Sequence, residues 1–321
     1  MTYEVMLLSC TEAGGIFRYE LDDNGQLHFL DQCSLDKPMY LIQDQNDFYV
    51  LLKSIFPESG LQKLVRNESG GLQTEGEIIC TKGREVCHHC VFEKNVYCVN
   101  YTSGSVFSYP EGKLVIHEGS SVHPTRQTSA HTHYINSTPD EKYLAVVDLG
   151  MDEIITYDKN LNQVCSSKMP VGSGCRHLVF SKDGSLAYCV GELDSTVTVL
   201  SYSDGHFTPL HSYSLLPEGY TEKSTAAAIR LYEEILYVSN RGHDSIARFR
   251  IKGSELEFLG WFDCGGQEPR DFEVTKEWIV CANQSGNCGT VLNRETGDVV
   301  CRVELKQALG VVIIPKEEMK C

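Results

Sequence analysis

Arg176 and His177 open one apolar run of the sequence, and Glu192 follows the end of the next, in the stretch GCRHLVFSKDGSLAYCVGELDSTVTVLSY at 174–202. Charged groups seldom stand at the ends of buried strands unless a partner or a ligand meets them there. A guanidinium forks onto two oxygens of an anion, an imidazole moves protons near neutral pH, and a carboxylate can orient water. RQTSAHTH is a second cluster of this kind, with Arg126, His131 and His133 inside eight residues. CHHC at 87–90 has metal-ligand side chains. Strand alternation, however, would send Cys87 and His89 one way and His88 and Cys90 the other, and no second Cys-x-x-Cys pair supplies missing ligands. No metal centre is read from it, which leaves a divalent cation beside His131 and His133 as the open metal option. No glycine-rich loop follows a strand and opens a helix, so no nucleotide cofactor is expected.

A repeat positions these residues. Short apolar runs end at Ser9, Leu52, Asn100, Asp148, Gly191, Asn240 and Asn283, with separations of 43, 48, 48, 43, 49 and 43 residues. Roughly 46 residues per unit is the period of a four-stranded propeller blade. Within the units, Ala247, Phe249 and Ile251 alternate with Arg248 and Arg250 as in a half-buried strand, and Asp22-Asp23-Asn24-Gly25 is a hairpin turn. No long segment has a period of about 3.6. The expected fold is all-β, a seven-bladed β-propeller in which residues 1–321 form a single domain. The first unit starts at its second strand, and LGVVIIP near the C-terminus is an isolated strand. That strand is expected to complete the first blade and close the ring, leaving no open edge. The polar stretches 55–76 and 117–130 are expected to be loops between blades.

In such a blade the innermost strand crosses the disc and the second strand returns. The start of the first and the end of the second therefore share one face beside the central channel. The starting column reads Met39, His88, His133, Arg176, Thr225 and Arg270. The column one residue past each anchor reads Cys10, Lys53, Tyr101, Leu149, Glu192, Arg241 and Gln284. Arg176 and Glu192 should meet at this mouth. A lone arginine or histidine there would hold inter-blade backbone, whereas several cations together repel unless an anion fills the space.

Composition narrows the partners. The chain has 44 acids against 28 Lys and Arg, a net charge of -16, and no basic stretch. Nucleic acid and anionic membrane are therefore disfavoured, and a small anionic molecule held by local cations remains. No apolar run is long enough for a membrane span, and MTYEVMLLSC lacks the basic region of a secretory signal. The 14 cysteines then read as reduced thiols of a cytoplasmic protein. Cys98, Cys189 and Cys281 recur two residues before an anchor and read as small buried apolar side chains. Oligomeric state is left open.

Four stretches in blade register carry a resemblance: RQTSAHTHYINSTPDEKYLAVVDLGMDEIITYD, GSGCRHLVFSKDGSLAYCVGELDSTVTV, LYVSNRGHDSIARF, and EPRDFEV with ANQSGN. The chain resembles, over nearly its whole length, the lactonase-type seven-bladed propellers, the family of 6-phosphogluconolactonase and the carboxymuconate cycloisomerases. The resemblance implies a cytoplasmic, cofactor-free enzyme that opens or closes an anionic lactone at the channel mouth. It carries over Arg126, His131, His133, Arg176, Glu192, Arg241, Arg270 and Gln284, to which the two columns add His88 and Lys53. Cys175 stands where the family usually has proline, and Gly191 where it often has asparagine.

Lactone hydrolysis needs an activated water, stabilisation of an oxyanion and a proton for the leaving alkoxide. Glu192 is the first candidate for the base, unless an ion pair with Arg176 depresses its pKa and weakens it. His131 and His133, two apart on a strand, would project to one side as acid and base, with His133 favoured because it shares the Arg176 column. Arg176 and Arg241 suit the oxyanion and a substrate phosphate or carboxylate, and Arg126, Arg270 and Lys53 the distal anion. A muconate-type cycloisomerase would run the same pocket in the ring-forming direction. A non-catalytic propeller would instead present a large patch on the disc to a protein partner.

Overall fold

A computed structural model describes residues 2–316 except position 56. Twenty-eight strands form seven four-stranded antiparallel sheets, and the described residues contain no helix. Blade 1 combines Ala308–Pro315 with Tyr3–Ser9, Gly15–Leu21 and Leu27–Ser34, so the C-terminal strand is its innermost member, as expected from the incomplete first unit. Blades 2 to 7 then begin at Pro38–Asp44, Val86–Phe92, Thr132–Ser137, Cys175–Phe180, Thr225–Tyr232 and Pro269–Val274, with these first strands neighbouring one another around the axis.

The anchor runs are second strands, and burial explains why they are apolar throughout instead of alternating. In blade 1, Val5 and Leu7 pack against Trp278, Val280 and Ala282 of blade 7, while Met6 and Leu8 pack against Phe48 and Val50 of blade 2. Both faces are thus covered, and these four residues are fully buried. Seven such clusters occupy the seven blade interfaces. Cys98, Cys189 and Cys281 sit in three of them, each with no exposure. The segment 117–130 is a loop, but 55–76 is not: it holds Gly60–Arg66 and part of Leu72–Cys80, the outer strands of blade 2. Its polarity reflects the exposed rim of the disc.

Just inside one mouth, every innermost strand carries a bulge at which two of its residues face one residue of the second strand. The pairs are Met39-Tyr40, Cys87-His88, His133-Tyr134, Arg176-His177, Ala227-Ala228, Arg270-Asp271 and Leu309-Gly310. A bulge re-aims side chains by adding one residue to one strand. The first members Met39, Cys87, His133, Arg176, Arg270 and Leu309 line the cavities of this mouth. Tyr40, His88, Tyr134 and His177, second members, line the cavity at the other mouth. His88 and Thr225 are therefore misassigned in the starting column, and Cys87 and Ala227 hold those positions. His88 stacks between Tyr40 and Tyr134 at 4.4 Å from each ring centroid, with His177 at 5.3 Å, and these rings plug the channel.

A chain ending at Gln307 would leave blade 1 with three strands and uncover Val5 and Leu7. It should melt well below the intact chain in a calorimetric scan; an unchanged melting temperature would contradict closure by the C-terminal strand.

Candidate active site

The mouth has two connected parts that share Met39, Lys53, Glu85 and Arg270. A deep chamber of about 240 Å³ is lined also by Cys87, Tyr101, Arg126, His133, Glu192 and Arg241. A broader side lobe of about 680 Å³ adds Lys37, Arg84, Gln284 and Gln307. Of the column past the anchors, Cys10, Lys53, Tyr101, Glu192, Arg241 and Gln284 all line one part or the other, and only Leu149 is buried away from them.

Glu192, 3% exposed, is the centre of the chamber. Arg126 Nη2 donates to its Oε1 at 2.6 Å, while Arg176 Nε at 2.9 Å and Arg241 Nη2 at 3.1 Å meet its Oε2. The expected meeting of Arg176 and Glu192 is therefore present, as a buried ion pair. Arg176 also donates to the Ala227 carbonyl at 2.7 Å and lies beneath the chamber, against the narrow waist of the channel. Burial alone would raise the Glu192 pKa, but Arg241 and Arg176, with His133 and Arg126, hold it well below the usual carboxylate range. Burial and the nearby Arg241 push Arg176 down to about 9, which leaves it charged at neutral pH.

His133 is 5% exposed, and its Nδ1 has no hydrogen-bond partner among the described residues. Burial, reinforced by Arg176, holds its pKa far below that of a free imidazole, so it is neutral. Arg241 likewise has a buried Nε without a partner. His131 does not join His133 on the strand. It precedes Thr132–Ser137 and stacks on Tyr101 at 4.5 Å and 11°, with Nδ1 3.0 Å from the Tyr101 carbonyl. His131 thus backs Tyr101, which lines the chamber and whose hydroxyl accepts from Arg126.

Gln284 lies in the side lobe, where its Oε1 accepts from Arg270 at 3.4 Å. Lys53 pairs with Glu85 at 3.3 Å, and Thr102 donates to the same carboxylate at 2.5 Å. Glu85 and Cys87 were missed from the sequence because the bulge register that brings them to the mouth was not counted. The left-handed φ of Glu85, 54°, is shared by Lys37, Gly174, Glu268 and Gln307, each two residues before a bulge, and so belongs to the blade. Of the two departures from the family pattern, Cys175 donates to the Asp148 carbonyl at 3.2 Å. A Cβ on Gly191 would stand 2.3 Å from Asp194 Oδ1, so a larger residue requires Asp194 to move.

His88 belongs to the opposite cavity of about 390 Å³, beyond the ring plug. The cation there, Arg230, is already divided between Asp271 at 2.7 Å and Glu273 at 2.6 Å. Around the deep chamber and its waist, by contrast, Lys53, Arg126, Arg176, Arg241 and Arg270 face Glu85, Glu192 and, at the waist, Asp271, which is already paired with Arg230. That excess of positive charge suits an anionic ligand, and among the described residues no group of three His, Cys, Asp or Glu side chains is placed to hold a metal ion.

The model of the family described as lactonase, 7-bladed beta-propeller, matches residues 4–307. An uncharacterized protein of Staphylococcus aureus (strain USA300) is 34% identical over 327 aligned residues, covering 94% of this chain and 95% of that one. A crystal structure of a Lactobacillus plantarum protein superposes with a TM-score of 0.89 at 28% identity, covering 98% of this chain and 100% of the other. The periplasmic gluconolactonase PpgL of Pseudomonas aeruginosa superposes with a TM-score of 0.88 at 26% identity, covering 98% and 99%.

Four imidazoles, those of His88, His89, His133 and His177, are at most 5% exposed, and burial holds each below the ordinary 6.5, His89 at about 4. As the pH falls through the unfolded value, the unfolded chain binds protons that the folded one refuses. Stability is therefore full above that value and should fall by about 1.4 kcal/mol per pH unit for each histidine below it. The urea midpoint at pH 5 should lie clearly under that at pH 7; equal midpoints would contradict neutral buried imidazoles.

Proposed function

The chain belongs to the seven-bladed β-propeller lactonases, and on that premise we propose that it hydrolyses a sugar-derived lactone bearing an anionic group, with 6-phosphogluconolactone the first substrate to test. The observation that carries this reading is the chamber itself, where three guanidiniums converge on one carboxylate and further cations lie within the same walls. The similarity to a gluconolactonase supports a sugar lactone. We place the protein in the cytoplasm, as a chain whose described cysteines are unpaired.

Within this reading the roles divide by protonation state. Glu192, its two carboxylate oxygens already accepting from three guanidiniums, serves as the counter-ion that fixes their directions. The neutral His133, which lines the chamber, takes the proton of the attacking water. Arg241, with a free buried N–H, and Arg126 stabilise the oxyanion as the carbonyl carbon becomes tetrahedral. Arg176 acts from below through Glu192. Lys53, Arg270 and Gln284 line the side lobe and receive the distal anion, the Arg270 fork suiting two of its oxygens.

Initial rates with 6-phosphogluconolactone generated in situ test the reading. The wild type should exceed the spontaneous rate by orders of magnitude. His133→Asn should lose about 10²–10⁴ in kcat, and Arg241→Ala about 10²–10³. A wild-type rate equal to background would overturn this substrate.

A further inference from the structure

Ring opening requires a proton on the departing ring oxygen as well as a base for water. We propose that the hydroxyl of Tyr101 is that acid; the assignment rests on the lactonase reading. Tyr101 directly follows Asn95–Asn100, the second strand of blade 3, and its amide donates to the Glu85 carbonyl at 3.0 Å. Its ring is clamped, flat against His131 and edge-on to His133 at 5.6 Å and 78°. Its oxygen accepts from Arg126 Nε at 3.3 Å and Nη2 at 3.0 Å, and no hydrogen bond among the described residues uses its own proton. That proton is available to a ligand in the chamber.

The other groups on the wall are excluded by chemistry. A guanidinium does not release a proton in a protein. Glu85 and Glu192 are ionised, their carboxyls held below the usual range by Thr102 in the first case and by Arg241 and Arg176 against burial in the second. Lys53 is paired with Glu85. The Cys87 thiol already points its hydrogen at backbone carbonyls of Val99, Thr132 and His133, and burial pushes it up to about 12. His131 does not line the chamber, and His133 is occupied as the base. Burial raises the Tyr101 hydroxyl above its usual value although Arg126 pulls the other way, so it is protonated at neutral pH.

The step balances without a further reactant. Water's oxygen bonds to the carbonyl carbon and its proton passes to His133. The tetrahedral intermediate collapses, the bond from carbon to ring oxygen breaks, and its electron pair stays on that oxygen, which takes the Tyr101 proton. The phenolate, faced by the Arg126 guanidinium, recovers a proton from the imidazolium of His133. Arg126 is itself anchored by Glu192, so the counter-ion of the site also sets the acid. His131 is a positioning residue that holds the Tyr101 ring by stacking.

Tyr101→Phe keeps the ring and its stack but removes the acid. Two six-membered lactones separate the roles: δ-valerolactone, which releases an alkoxide, and dihydrocoumarin, which releases a phenoxide that departs without a proton. On δ-valerolactone the variant should lose about 10²–10³ in kcat with KM within a few-fold. Its loss on dihydrocoumarin should be at least ~10-fold smaller, since an acid contributes less when the leaving group is less basic. Equal losses on the two, with an active wild type and an unchanged melting temperature, would overturn the assignment and make Tyr101 a support for Arg126. A wild type inactive on these lactones and on 6-phosphogluconolactone would overturn the lactonase reading itself, and Tyr101 with it.

Discussion

Three guanidiniums within 3.1 Å of one buried carboxylate is the interaction on which the mouth of this propeller depends. Arg126, Arg176 and Arg241 come from three places: the loop before blade 4, the innermost strand of blade 5 and the second strand of blade 6. Without Glu192 their charges would repel across a small, largely enclosed space, at a cost that grows as the local dielectric falls. With it, two Oε atoms hold three forks in fixed directions, and one positive charge after another remains in excess for a ligand. In the proposed mechanism that saturation makes Glu192 the counter-ion, and proton transfer is assigned to groups held neutral, His133 and Tyr101.

The fold supplies this convergence by repetition. Each blade buries both faces of its second strand against its neighbours, which fixes strand ends to one plane around the channel. A bulge at the same level of every innermost strand then turns one side chain up into the mouth and the next toward the ring plug. Seven equivalent positions are thus available for chemistry, and the sequence fills them unequally. Blades 4, 5 and 7 contribute His133, Arg176 and Arg270, while blades 1, 2 and 3 contribute Leu309, Met39 and Cys87. The second strands and the loops add Lys53, Tyr101, Arg126, Glu192, Arg241 and Gln284 to these.

Much of this was legible in the sequence because it follows from period. The spacing of the apolar anchors gave seven blades and the C-terminal closure, and reading one residue past each anchor found Lys53, Glu192, Arg241 and Gln284, since second strands have regular registers. The innermost strands do not. Alternation does not mark the bulged pair of each innermost strand, and the alignment on turns puts His88 where Cys87 lies and Thr225 where Ala227 lies. His131 was paired with His133 for the same reason: strand geometry was assumed where the strand had not begun. Outer strands of blade 2 were read as loop because rim strands bury too little apolar surface to show a pattern.

The unfolding free energy of Glu192→Gln, from urea titration at pH 7, tests most directly whether Glu192 is the counter-ion that holds the mouth together. Amide for carboxylate keeps the shape, removes the charge and turns one acceptor oxygen into an N–H donor facing a guanidinium. The expected loss is about 3–5 kcal/mol, the cost of leaving buried cations unpaired, with partial recovery when inorganic phosphate is added to occupy the mouth. A loss below about 1 kcal/mol, the scale of an exposed ion pair, would contradict it.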